Sequence, residues 1–152
     1  MESAGGPNGD MIAIGTEAAR EDQGSDSVAV GATCGYYNQG TESVAIGRGA
    51  GSGDQGSESV AVGQFAGRSG QGRQSVAVGG KSAWGDQGTS AVALGFRAGH
   101  STQGVGSLAI GYRSGYSNQG TSSIAIGYYS AESNQPQNSI VINATGSVLN
   151  SG

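Results

Sequence analysis

Residues 38–47 read NQGTESVAIG, and the parsing of that stretch decides the fold. It ends in Val44-Ala45-Ile46, two large β-branched residues around an alanine. Such alternation marks a short strand, because successive strand side chains point to opposite faces. The same run returns along the chain. Units begin at Met11, Ser27, Ser43, Ser59, Ser75, Ala91, Ser107, Ser123 and Ser139, and read MIAIG, SVAVG, SVAIG, SVAVG, SVAVG, AVALG, SLAIG, SIAIG and SIVIN. The period is sixteen over nine units, with no insertion or deletion. A linker has no reason to keep such a period, whereas a solenoid requires it.

The remainder of each unit fits a coil. Gly follows the strand at 15, 31, 47, 63, 79, 95, 111 and 127, which suits a turn needing positive φ. A second stretch of small residues comes next, such as RGAG from Arg48 or RSG from Arg113, and is expected to form the second strand. The corner is then expected at the Asp/Asn-Gln-Gly signal, where these residues lower the cost of a tight reversal. Two strands and two turns give a parallel β-roll of about nine coils, roughly 40 Å long at ~4.8 Å per coil. Helix is excluded by the absence of three- or four-residue periodicity and by Gly throughout. Residues 1–10 are read as a lead-in, 11–143 as the roll, and 144–152 as an exit segment toward a further region.

Composition alone points elsewhere. With 31 Gly in 152 residues and only 35% hydrophobic residues, the chain resembles a flexible segment. Charged residues are only 12%, however, too few for a chain kept open by charge, so the repeat decides. There is no apolar run of membrane-spanning length, and the first ten residues lack the layout of a signal peptide. A net charge of −4 argues against nucleic-acid binding, and the single Cys34 excludes an intrachain disulfide. Each coil supplies two large aliphatics, each contributing roughly 1.5–3 kcal/mol when buried, against an ordering cost of about 1–2 kcal/mol per residue. Strands apolar on both faces imply that both faces are covered, one lining the roll and the other meeting neighbouring chains. The alternation does not say which face does which.

The recurring SVAIG and SVAVG units resemble the head repeats of trimeric autotransporter adhesins of the YadA type, over residues 11 to about 143. That resemblance implies a left-handed parallel β-roll assembled as a homotrimer. The bacterial heads usually have a shorter repeat. The sixteen-residue form with NQG, and the exit NSIVINATGSVLN, resemble YadA-like heads in fibres of bacteriophages and large algal or amoebal viruses. The implied location is extracellular, on a cell surface or a virion fibre, as part of a longer chain. The implied activity is attachment to a host-surface glycan or protein, with no catalysis, no cofactor, no nucleic acid and no direct membrane insertion.

Register turns single residues into files along the rod. Gln23, Gln39, Gln55, Gln71, Gln87, Gln103, Gln119 and Gln135 form one file, expected to be a structural amide ladder with hydrogen bonds running from donor to acceptor. Phe96, Tyr112 and Tyr128 form a second, and Lys81, Arg97 and Arg113 a third beside it. Together these six are the candidate ligand-binding strip, suited to an anionic saccharide, or else side chains that shield the Gly-rich outer backbone. Residues 1–58 carry nine acidic and two basic side chains, and 59–152 carry two acidic and five basic. Asp26, Glu42 and Glu58 make an acidic file that reads as a solvated edge more than a calcium site.

Chemistry is not expected. His100, the only histidine, has no carboxylate and serine in register to form a triad, and it sits at an outer position unsuited to a metal. Cys34 lacks a paired His and replaces Ala or Ser, so it reads as filler. GRGAGSG lacks the strand–loop–helix context of a phosphate loop. Asn143 begins an N-glycosylation sequon, relevant only on a eukaryotic secretory route. Two other functions suit the fold. One is a purely structural fibre spacer. The other is an ice-binding solenoid, whose candidate file Ser25, Thr41, Ser57, Arg73, Thr89, Val105, Thr121 is broken by Arg73 and Val105.

Overall fold

The structure is a computed structural model that describes residues 9–150; the start of the lead-in, residues 1–8, and the last two exit residues, 151–152, lie outside the described residues. A three-residue strand cannot bury itself, so each coil lays its strand against the next. Among the described residues the strands are β1 (Ile12–Ile14), β2 (Glu21–Gln23), β3 (Val28–Val30), β4 (Tyr37–Gln39), β5 (Val44–Ile46), β6 (Val60–Val62), β7 (Val76–Val78), β8 (Asp86–Gln87), β9 (Val92–Leu94), β10 (Thr102–Gln103), β11 (Leu108–Ile110), β12 (Ile124–Gly127) and β13 (Ile140–Asn143). Nine of them form one sheet in the order β1-β3-β5-β6-β7-β9-β11-β12-β13. Every pairing is parallel and offset by sixteen residues, as in Val44↔Val60 and Ala45↔Ala61. The chain is therefore an all-β parallel solenoid, with no helix among the described residues.

The structure settles which strand face is inside. Ala29, Ala45, Ala61, Ala77, Ala93, Ala109 and Ala125 are fully buried, and Val141 takes their place in β13. The large aliphatics on either side of each alanine point outward. A second file of small residues, Cys34, Ala50, Ala66, Ser82, Ala98, Ser114 and Ser130, is buried opposite. The roll interior is thus two small side chains thick, and a valine faces in only at Val141, in the last strand.

The expected strand and corner exchange places. The small-residue stretch turns, as at residues 31–35, and the Asn-Gln stretch pairs: β2 lies beside β4, β8 beside β10, and single bridges join Gln39↔Gln55, Gln55↔Gln71 and Gln71↔Gln87. The second reversal follows the glutamine, with Glu42 at φ 55°. The reason is packing, because the glutamine reaches inward. Gln39, Gln55, Gln71, Gln87, Gln103, Gln119 and Gln135 are buried, and each donates Nε2 to the first strand of its own coil: Val28, Val44, Val60, Val76, Val92, Leu108 and Ile124 carbonyls at 2.8–2.9 Å. Bonds between successive amides occur from Gln23 to Gln39 and from Gln87 to Gln103 (3.2 Å). The Oε1 atoms of Gln55, Gln71, Gln87, Gln119 and Gln135 have no partner. In several coils the amide oxygen fills the place of a missing Cβ. One added to Gly67 would lie 2.5 Å from Oε1 of Gln71.

Shorter ties complete the coil. The unit-leading serine returns its Oγ to the glycine carbonyl three residues earlier, as in Ser75 to Gly72 (2.6 Å). Where the opposite small residue is serine, it bonds across the interior, as in Ser114 to the Ala125 carbonyl (2.7 Å). The glycine after the strand is needed for a different reason: Gly79 has φ 123°, and a Cβ there would sit 2.7 Å from the Gly95 carbonyl carbon.

Replacing Gln71 with Leu removes the cross-tie and leaves the Val60 carbonyl without it, so unfolding free energy should fall by about 1–3 kcal/mol. Gln74→Leu, at an exposed site one turn away, should change it by less than about 0.5 kcal/mol. Urea unfolding of the two variants beside the wild type checks this, and equal losses would remove the glutamine from its proposed role.

Candidate binding surface

The residue after the strand glycine projects from the coil, and the next one adopts a left-handed backbone. Phe96, Tyr112 and Tyr128 occupy the first position and are exposed. Their rings stack, Phe96 on Tyr112 at 5.6 Å and 18°, and Tyr112 on Tyr128 at 5.1 Å and 14°. Lys81, Arg97 and Arg113 occupy the second position at φ 57°, 56° and 52°. Bonds between the turns of successive coils hold them there, Arg97 N–H to the Gly80 carbonyl and Arg113 N–H to the Phe96 carbonyl, both 3.0 Å. Left-handed backbone costs a non-glycine residue roughly 1–2 kcal/mol, so large basic side chains are kept at a place that favours glycine.

The structure brings the six candidate residues together as two adjoining files. Arg97 lies over Phe96 at 5.3 Å. Arg113 is engaged more fully, over Tyr116 (4.3 Å) and Tyr129 (5.0 Å) and paired with Glu132 at 3.0 Å. A third file had escaped the sequence reading. Trp84, His100 and Tyr116 stack at 5.4 Å and 5°, then 4.8 Å and 12°, with Arg68 over Trp84 at 5.3 Å. Their sixteen-residue spacing was the available signal, hidden by three different residue types.

Electrostatics follows from these contacts. Burial in the stack pushes the His100 imidazole below its ordinary 6.5, and the charges of Arg97, Lys81 and Arg113 push the same way. Burial raises the Cys34 thiol, which is fully enclosed and donates to the Gly31 carbonyl. In the acidic file, Glu58 accepts from Gln74 (3.0 Å) and pairs with Arg73 (3.3 Å); the Gln74 bond comes first among the causes that lower its carboxyl. No group of His, Cys, Asp and Glu able to hold a metal ion occurs among the described residues. Asn143 is only 3% exposed. Its Nδ2 donates to the Tyr128 (2.8 Å) and Ser147 carbonyls and its Oδ1 accepts from Thr145, so the sequon amide is internal to a turn.

The imidazole gives a pH dependence of definite sign. The unfolded chain takes up the His100 proton at higher pH than the folded one, so stability falls as pH drops below the ordinary imidazole range and levels once the folded protein is protonated too. Carboxylates such as Glu58 act below that window. Melting temperature should decline over that range in the wild type and stay flat in His100→Phe; parallel profiles would exclude His100 as the cause.

Residues 39–66 match the YadA head domain repeat in two copies. No curated protein and no solved structure matches the chain. The matched stretch contains β5 and β6, and the same register runs on through the other seven strands of the sheet. That family is one of adhesin-type, surface-exposed heads and is not enzymatic. The repeat match and the sixteen-residue coils of the solenoid together fit a YadA-like head in repeat form.

Proposed function

We propose that this chain is a head segment of a trimeric fibre or adhesin, which displays outer side chains for attachment to a host-surface glycan or matrix protein and carries out no chemistry itself. The observation that carries the reading is the outward aliphatic face. Each of the nine strands presents two large residues away from the roll, in a strip about 38 Å long at ~4.8 Å per strand. Stacking half-buries the central pairs, whereas Ile46 is 39% and Ile140 67% exposed. Monomeric proteins rarely leave so continuous an apolar surface open to water. Three copies of one chain cover it, the assembly that YadA-type heads use, with the left-handed coil of that family. Display is supported by the large side chains retained at left-handed positions.

The rigid-spacer reading has one observation in its favour. Arg113 is already engaged by Glu132, Tyr116 and Tyr129, as expected of a side chain that covers its own backbone. In a virion fibre, such a segment would set length and leave recognition to other regions.

Light scattering after size exclusion should give the mass of three chains. The pair Val76→Asp and Val78→Asp, on the outward face, should dissociate the assembly while the buried Ala77 file stays intact; a folded wild-type monomer would sink the reading. For attachment, the variant Arg97→Ala/Tyr112→Ala/Arg113→Ala should bind glycan arrays or host cells on the order of tenfold more weakly, about 1.4 kcal/mol. Unchanged binding would favour the spacer.

A further inference from the structure

In the coil spanning residues 48–53, RGAGSG, Arg48 keeps its place, but bulky side chains are missing from two outer files, at Gly49 and Ser52. At the position of Gly49, other coils carry Thr33, Phe65, Lys81, Arg97 or Arg113; at that of Ser52, they carry Tyr36, Arg68, Trp84, His100 or Tyr116. The omission leaves a notch one coil high. Tyr36 and Tyr37 form one wall and Phe65 and Arg68 the other, two coil spacings apart, or about 10 Å. The result is an open cleft of about 350 Å³ with Gly49 and Ser52 as its floor. Such a volume lies at the small end of the ~300–1,000 Å³ range of ligand sites.

The notch is shaped by its neighbours. The Phe65 ring leans into the space above Gly49, where a Cβ would meet its Cδ1 at 2.5 Å. Arg48 and Arg68 lie over that ring at 5.4 and 5.5 Å, and Arg68 is also held on Trp84 at 5.3 Å, so its guanidinium is oriented in advance. Tyr36 packs edge-on to Tyr37 at 4.3 Å and accepts a hydrogen bond from Arg20. Thr33 and Glu17 complete the rim.

We infer that this cleft binds one pyranose ring of a neutral glycan, a site separate from the basic strip; the inference rests on the display reading and gives it a ligand class. Aromatic walls take the C–H face of such a ring. The rim offers hydroxyl, carboxylate and guanidinium groups, which together both donate to and accept from sugar hydroxyls. The charges at the rim are already engaged, Glu17 paired with Arg20 at 3.4 Å and Arg48 and Arg68 laid on the Phe65 ring, which leaves the aromatic walls as the main contact for a ligand. None of the cleft residues belongs to the nine-stranded sheet that carries the aliphatic face.

Saturation-transfer NMR on the intact protein, with millimolar methyl glycosides of glucose, galactose, mannose and N-acetylglucosamine, tests it. At least one glycoside should receive signal. Ser52→Tyr fills the notch with a side chain the same turn already accepts at Tyr36 and Tyr116, and should abolish the transfer. Tyr37→Ala, at an exposed wall, should weaken it on the order of tenfold, and the triple strip variant should leave it unchanged. Transfer that survives in Ser52→Tyr overturns the inference, as does silence from every glycoside, including the case in which only aromatic peptides bind. Loss of signal in the strip variant alone would move recognition to the strip and leave the display reading standing.

Discussion

Seven successive coils are each closed by one amide. The bond from Gln Nε2 to the strand carbonyl eleven residues earlier spans the interior and fixes the distance between the two sides of the roll. That distance holds alanine, serine and cysteine in nearly every coil, with a valine only at Val141 in the last strand, so the hydrophobic contribution of the interior is small. Stability therefore depends on backbone ladders, on these cross-ties, and on covering what the interior cannot hold. The aliphatics turn outward because the amide keeps the coil narrow, and outward aliphatics call for partners. A cross-tie within one chain and the need for association are two sides of the same constraint.

Much of the architecture was legible in the sequence. The period, the strand at each Val-Ala-Val and the parallel stacking followed from spacing and alternation, and the structure repeats them in register at Val44, Val60 and Val76. The inward face was not legible, because alternation is symmetric and both alanine and valine are apolar; it follows from the coil's circumference. The Asn-Gln-Gly signal misled for a related reason. Those residues favour reversals in an isolated peptide, but here Gln39 is needed inside, so the reversal moves to its flanks. Among the surface residues, files of like type, such as Phe96, Tyr112 and Tyr128, stood out. Trp84, His100 and Tyr116 did not, although the geometry that stacks them is the same.

The surface differs from the interior in what it tolerates. Interior files repeat alanine, glutamine and serine with few exceptions, whereas the outer positions pass from glutamate to arginine to phenylalanine to tyrosine along one rod. Many of those residues sit at positive φ, where each carries a conformational cost that glycine would avoid. A scaffold indifferent to its outer residues would drift toward glycine at these places.

The exact offset of sixteen between partners also bears on how such a rod changes over generations. Because each coil meets its neighbours through the same backbone bonds, a duplication or loss of one unit leaves both new neighbours in register. Length is then adjustable in steps of about 4.8 Å, and every such event also changes which exterior residues lie side by side. A single recombination can open or erase a notch such as that over Gly49 without altering any residue inside the roll.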